Sequence, residues 1–273
     1  MRLAKKFNGE VISADSRQVY KGLDIGTGKI TKKEMMGVPH HLLDIIGAQR
    51  QLTVVDFKKL ADKAVKNIVR RGKTPLVVGG TGFWIDTLVY GMELPSVPPN
   101  PNLREKLEKK SADELLATLK KLDPERAKNI EQKNPRRLIR AIEIARALGR
   151  VPGIKRHFPY EVLWLGISRP KKILQKRIRE RLLKRMRAGM IKEARNLKKQ
   201  GLPWKRFYEL GLEYRFLADY LRGRLSKKEV LARLEKAIQQ YARRQMVWFK
   251  RNKKIHWVHK PKETEILTKK FLT

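Results

Sequence analysis

No cysteine occurs among the 273 residues, which excludes a disulfide framework, thiolate zinc sites and cysteine nucleophiles together. Histidine is scarce too, with five copies, so a histidine-based metal centre has little to be built from. Acids are outnumbered: 27 Asp and Glu stand against 65 Lys and Arg, a formal net charge of +38. That balance argues against a neutral protein handling a small uncharged compound. Long apolar runs are missing as well. The most apolar stretch, Leu76 to Met92, is interrupted by Gly79, Gly80, Gly82 and Asp86, too short and broken to span a bilayer. Met1-Arg2-Leu3-Ala4-Lys5-Lys6 leads into polar residues, not an apolar signal region. The expectation is a cytoplasmic protein with no membrane partner.

What is present is a hydrophobic share of 41%, enough for a buried core in one large domain or in a core with an inserted subdomain. The cationic excess points to a polyanion, nucleic acid first, because each neutralised phosphate releases counterions. A lysine-rich solvated surface accounts for some of the same excess.

Glu10 to Ala14 reads as a short strand running into Asp15-Ser16-Arg17-Gln18-Val19-Tyr20. Val54, Phe57, Leu60, Ala61, Ala64, Val65 and Ile68 recur with a helical period, and Gly72 closes that helix. Leu76-Val77-Val78 is an apolar strand followed by Gly79-Gly80-Thr81-Gly82 and a second apolar run, a strand, glycine turn and helix of the kind that cradles phosphate. Prolines 95, 98, 99 and 101 mark a linker, and charged helical patterns resume from Leu103 to Leu122. Asn134-Pro135 starts a helix that runs to Leu148 with Gly149 at its end. Val162 to Ile167 is a further strand, 171 to 200 a basic helix or helical pair, and Ser226 to Arg251 a third helical run. The implied organisation is a first α/β core segment over residues 1–94, a helical insertion over 95–133, a second core segment over 134–259 with basic helices, and a frayed tail over 260–273.

Asp15 is the single acid in a strand-end loop, where open parallel sheets present ligands, and it suits a general base. It serves equally well to cap the turn. The glycine tetrad opens backbone N–H groups to an anion, or is an ordinary turn. Arg136 and Arg140 share one helical face near a helix start, as Arg177, Arg181 and Arg185 do on the long basic helix. Each set suits phosphate or a solvated face. Arg243 and Arg244 beside Trp248 and Phe249 mix cations with aromatics, which suits nucleotides but also an ordinary amphipathic helix.

In their order and wording these segments resemble the tRNA dimethylallyltransferase (tRNA isopentenyltransferase) family. The resemblance runs through Glu10-Val-Ile-Ser-Ala-Asp-Ser-Arg-Gln-Val-Tyr20, Asp24-Ile-Gly-Thr-Gly-Lys29, Pro39-His-His-Leu42, Gly79-Gly-Thr-Gly82, Asn134-Pro-Arg-Arg-Leu138 and Ala242-Arg-Arg-Gln245 with Trp248-Phe249. It implies an α/β fold, a P-loop nucleotide-kinase-like parallel sheet with a helical insertion. It also implies transfer of a dimethylallyl group from its diphosphate to N6 of an adenosine beside the tRNA anticodon, with Mg²⁺ supporting departure of the diphosphate.

By the same resemblance Asp15 is the general base, Thr81 faces the diphosphate and a flipped adenine, and Arg181 steadies the leaving group, with Arg177 as the fallback in helix register. The resemblance assigns tRNA contacts to Asp15, Ser16, Arg17, Gln18, Thr81, Arg104, Arg136, Arg137, Leu138, Ile139, Arg140, Arg215, Arg243 and Arg244. Glu213 stands where the family commonly has a second glycine, which weakens the contact at Arg215. His40 and His41 are read as structural and no residue as a metal ligand. A monomer is expected.

One departure matters. The family pattern opens with a strand and a Walker-type loop ending in Lys-Ser or Lys-Thr, and Met1 to Phe7 looks like the last turns of the helix after that loop. The expectation is a chain without the N-terminal strand and nucleotide-binding loop, a truncated reading of an active enzyme and itself impaired. A catalytically inactive tRNA-binding relic is the alternative; a small-molecule nucleotide kinase would explain neither the charge nor the Arg-Arg-Gln helix.

Overall fold

A computed structural model describes residues 1–273, which divide into two compact units, Met1–Val89 with Pro159–Thr273, and Tyr90–Phe158. The first half of the larger unit runs α1 (Arg2–Lys6), β1 (Gly9–Ser13), α2 (Lys32–Met35), β2 (His40–His41), α3 (Val54–Arg70), β3 (Thr74–Val78) and α4 (Gly82–Val89). The smaller unit is helical, with α5 (Pro101–Leu107), α6 (Ala112–Leu122), α7 (Pro124–Lys128) and α8 (Pro135–Leu148). The larger unit resumes with β4 (Leu165–Ile167), α9 (Lys171–Arg187), α10 (Met190–Lys199), α11 (Trp204–Leu210), α12 (Leu212–Leu221), α13 (Lys227–Phe249), β5 (His256–Val258) and α14 (Pro261–Leu272). This is an α/β fold with little sheet and much helix, and no helix is long and apolar enough to cross a membrane.

β1 is the middle strand of a parallel three-stranded sheet in the order β2-β1-β3. It is buried along its whole length, as a parallel strand covered on both faces must be. One of its residues is charged. Glu10 is 1% exposed, and its carboxylate accepts both guanidinium nitrogens of Arg71 at 2.6 and 2.7 Å, Lys73 Nζ at 2.8 Å and a 2.7 Å bond with His41 Nε2. The Arg71 guanidinium, with Lys73 and His41 behind it, outweighs the cost of burial and holds Glu10 well below the usual carboxylate range. His41 is thereby structural, and His40 bonds the Val38 carbonyl through Nδ1 at 2.8 Å.

Local signals account for the helices. Capping boxes start α2 (Thr31, Glu34), α3 (Thr53, Asp56), α6 (Ser111, Glu114) and α13 (Ser226, Glu229). Asn134 caps α8 with Pro135 in its first turn. The buried face of α3 carries Phe57, Ala61, Val65 and Ile68, and Phe57 stacks on Trp84 of α4 at 4.3 Å. An aromatic of that size contributes about 2–3 kcal/mol by burial.

Three expectations change. The helical unit extends from Tyr90 to Phe158, beyond the 95–133 insertion, because α8 packs its apolar face (Leu138, Ile139, Ile142) against Leu115 and Leu119 of α6. Residues 260–273 are no frayed tail: α14 buries Thr268, and Glu265 accepts Lys6 Nζ at 2.5 Å. The strands make two sheets, not one, since β4 pairs in parallel with β5 and β3 pairs with β1.

Candidate active site

The ladder between β1 and β3 ends with Ala14 N–H donating to the Val78 carbonyl at 2.8 Å. The chain then turns, and Asp15 Oδ1 accepts the backbone N–H groups of Arg17 (2.8 Å) and Gln18 (3.3 Å). Asp15 therefore caps its turn with one oxygen, and Oδ2 is not engaged in those two bonds. Capping and base chemistry are compatible in one side chain.

The glycine turn after β3 meets this loop directly. Thr81 N–H donates to the Ala14 carbonyl at 3.2 Å, Ser16 N–H donates to Thr81 Oγ1 at 3.1 Å, and the Thr81 hydroxyl reaches Ser16 Oγ at 3.4 Å. From the other side α13 closes in. Gln245 Nε2 donates to the Gly80 carbonyl at 3.0 Å, and a Cβ on Gly80 would collide with that amide. The tetrad is glycine-rich because a loop and a helix pack against its backbone, with the Thr81 N–H already engaged. Tyr241 lies one turn before Gln245; burial raises its phenol pKa, and the Asp15 carboxylate adds to the rise, while Thr81 and Gln245 oppose it.

Cations flank the acid. Arg181 of α9 donates to the Gly28 carbonyl at 3.3 Å and Arg185 to the Gly26 carbonyl at 2.7 Å. Arg181 and Arg185, and not Arg177, are thus the α9 arginines bonded to the 24–28 loop. The pKa of Arg181 is lowered by desolvation and by neighbouring Arg185, against the pull of Glu213, Asp15 and Glu34. Glu213, which stood out in sequence as a departure, accepts Arg185 Nη1 at 3.1 Å; burial pushes its carboxyl up despite that partner. Arg17 is half-buried, its pKa lowered by desolvation, with Arg206 lowering it further and Asp15 opposing. Asp15, Arg17, Thr81, Arg181 and Tyr241 therefore share one electrostatic neighbourhood.

Other expected contacts lie apart. In the helical unit Arg104 grips Glu143 with two bonds of 2.8 Å, while Arg140 donates to Glu143 at 3.3 Å and to the Val97 carbonyl at 2.8 Å. Leu138 and Ile139 are buried in that unit's core, so their side chains are spent on packing. Arg136 is exposed, as is Arg137, which pairs with Glu131 at 3.0 Å. Arg215, Arg243 and Arg244 are exposed on the larger unit, Arg215 over the Phe216 ring at 4.9 Å and Arg244 over the Tyr241 ring at 5.7 Å. Tyr241 and Arg206 escaped sequence reasoning. The spacing of Tyr241 and Gln245 on one helical face was the available signal for the first; a buried arginine bonded to the Ala48 and Arg50 carbonyls leaves none.

Nowhere do three His, Cys, Asp or Glu side chains converge on a point suited to a metal ion. Asp15, with one oxygen held by the turn, does not make a cage for Mg²⁺.

Comparison with known proteins bears on this geometry. A model of the IPP transferase family matches residues 18–252. The chain is 44% identical to tRNA dimethylallyltransferase 2 of Treponema denticola, covering 94% of this chain and 90% of that protein, and 39% identical to tRNA dimethylallyltransferase of Anoxybacillus flavithermus over 94% and 84%. Among solved structures it is similar to the full-length tRNA isopentenylpyrophosphate transferase of Bacillus halodurans, with a TM-score of 0.73, 34% identity and coverage of 99% and 89%. A eukaryotic dimethylallyltransferase crystallised acting on tRNA superposes with a TM-score of 0.77 at 27% identity, covering 91% of this chain and 65% of that one. The fold is that of the prenyl-transferring enzymes of tRNA modification. The chain belongs to the IPP transferase family.

Proposed function

We propose that this protein transfers a dimethylallyl group from dimethylallyl diphosphate to N6 of the adenosine beside the anticodon of tRNA, with Asp15 as general base. The observation that carries the reading is the convergence of Asp15, Thr81 and Arg181 around one strand-end loop, each joined to it by hydrogen bonds or by its field.

The N6 lone pair is delocalised into the purine ring, so the amine attacks poorly unless its proton is removed as the new bond forms. Adenine in a stacked loop is out of reach, and the base is flipped against the Asp15 to Gln18 turn. The N6–C bond forms as the allylic C–O bond breaks. Asp15 takes the N6 proton and the diphosphate leaves with the C–O bonding pair, its charge met by Arg181. Thr81, hydrogen-bonded to Ser16, orients the acid loop toward both reactants. Mg²⁺, where it is involved, supplies charge neutralisation as a companion of the diphosphate, and no residue of this chain is assigned to it.

Arg136, Arg137, Arg140, Arg215, Arg243 and Arg244 are read as the tRNA-facing residues, with Arg104 held by Glu143 and Leu138 and Ile139 in the core, and the work is read as cytoplasmic. The α/β core is read as a nucleotide-kinase-like P-loop fold turned to prenyl transfer.

The test is mass spectrometry of tRNA nucleosides after incubation with the protein, dimethylallyl diphosphate and Mg²⁺. N6-dimethylallyl adenosine is the expected product. Tight tRNA binding with no prenylated nucleoside would sink the catalytic reading and leave an inactive tRNA-binding member of the family.

A further inference from the structure

Glu193 sits in the first turn of α10, where an acid needs no explanation beyond the helix dipole. Its carboxylate is nevertheless fully employed elsewhere. Oε2 accepts the backbone N–H groups of Asp24 at 2.8 Å and Ile25 at 2.6 Å, and Oε1 accepts Gly26 N–H at 2.9 Å and the Tyr214 hydroxyl at 2.8 Å. Three consecutive amides gather on one carboxylate, the arrangement by which backbone holds an anion.

The fit is close enough to specify the loop. A Cβ on Gly26 would stand 2.6 Å from Tyr214 Oη and 3.1 Å from Glu193 Oε1, so glycine is required for the approach. Lys29 Nζ, its side chain 5% exposed, holds the loop's far end by the Tyr20 carbonyl at 2.8 Å, Asp24 at 2.6 Å and Asp44. Held between Glu193 and Lys29, the loop turns its Gly26 and Gly28 carbonyls to Arg185 and Arg181.

We infer that Glu193 is a positioning residue for diphosphate capture: by fixing the 24–28 loop it fixes where Arg181 presents its charge, without touching the ligand. The inference rests on the reading of Arg181 as the arginine that receives diphosphate. A negative charge beside the loop would by itself weaken anion binding, so the role requires that ordering Arg181 outweighs that opposing field.

Inorganic diphosphate with Mg²⁺ is the probe, its affinity measured by calorimetry, with an anticodon stem-loop titrated in parallel. Glu193→Ala weakens diphosphate about tenfold while stem-loop affinity stays within about twofold, and in the Arg181→Ala background it adds almost nothing, because both changes act through one arginine. Glu193→Gln, which keeps one acceptor oxygen, falls between. Hydrogen exchange quickens at the Asp24, Ile25 and Gly26 amides in Glu193→Ala. If Glu193→Ala does not fold, Tyr214→Phe removes one partner of the clamp and keeps the packed ring, with a loss of about threefold expected.

Equal losses for Glu193→Ala with and without Arg181, or an unchanged diphosphate affinity, overturn the inference while leaving the site reading intact. An Arg181→Ala variant that binds diphosphate as well as the parent overturns the site reading, and the inference with it.

Discussion

The backbone N–H of Ser16 donates to Thr81 Oγ1 at 3.1 Å across 65 residues of sequence. This bond joins the acid-bearing loop after β1 to the glycine turn after β3. The acid-bearing loop and the glycine turn are therefore held together by one side chain.

Asp15→Asn keeps an oxygen for the Arg17 and Gln18 amides and removes the basic carboxylate. Turnover in a prenylation assay falls by about 100-fold or more, as expected for loss of a general base, while stem-loop affinity by filter binding stays within about threefold. Unchanged turnover would remove Asp15 from the mechanism.

Thr81→Val preserves shape and deletes the hydroxyl that accepts from Ser16. Because the loop is left with an unpaired amide, turnover drops about tenfold and thermal denaturation records a loss of about 1 kcal/mol. A loss of stability with full activity would make Thr81 structural only.

Arg136 and Arg140 separate by geometry. Arg136 is exposed, and its change to Ala lowers the slope of log affinity against log salt by about 0.9, the yield of one phosphate contact. Arg140 also ties Val97 to Glu143, so Arg140→Ala lowers the melting temperature as well as tRNA affinity. Equal melting temperatures for the two variants would contradict this division.

Glu10 gives the protein an acid limit. Its folded-state pKa is depressed, so its contribution is complete above the ordinary glutamate value of 4.5 and is lost as pH falls from there toward the lower folded value. Glu10→Gln removes the charge that Arg71, Lys73 and His41 share. Urea titration at pH 7 records a loss of about 3 kcal/mol, and the gap to the parent narrows as the titration is repeated from pH 5 to pH 3. A constant gap across that range would show that the carboxylate's charge is not what stabilises the strand.

Amphipathic α3, the capped start of α8 and the strands at Glu10 and Leu76 were legible in the sequence, because period, caps and glycine stops act over a few residues. So were the Asp15 loop and the glycine turn as separate motifs. Their meeting was not, nor was the reason for the glycines: a Cβ on Gly79, Gly80 or Gly82 would run into the Ala14 backbone, Gln245 or Trp248, all remote in sequence. The boundary at Phe158 was hidden too, since only the packing of α8 on α6 assigns α8 to the helical unit.

By itself the amino-acid order determined a cationic α/β chain without thiol chemistry and the segments that mark its family. The tertiary structure decided which charges are free and which are spent: Arg104 is held by Glu143, Arg185 by Glu213, and Arg71 and Lys73 gather on Glu10 beside His41. Ion pairing depends on distance and burial once remote segments have packed, and no local pattern encodes it.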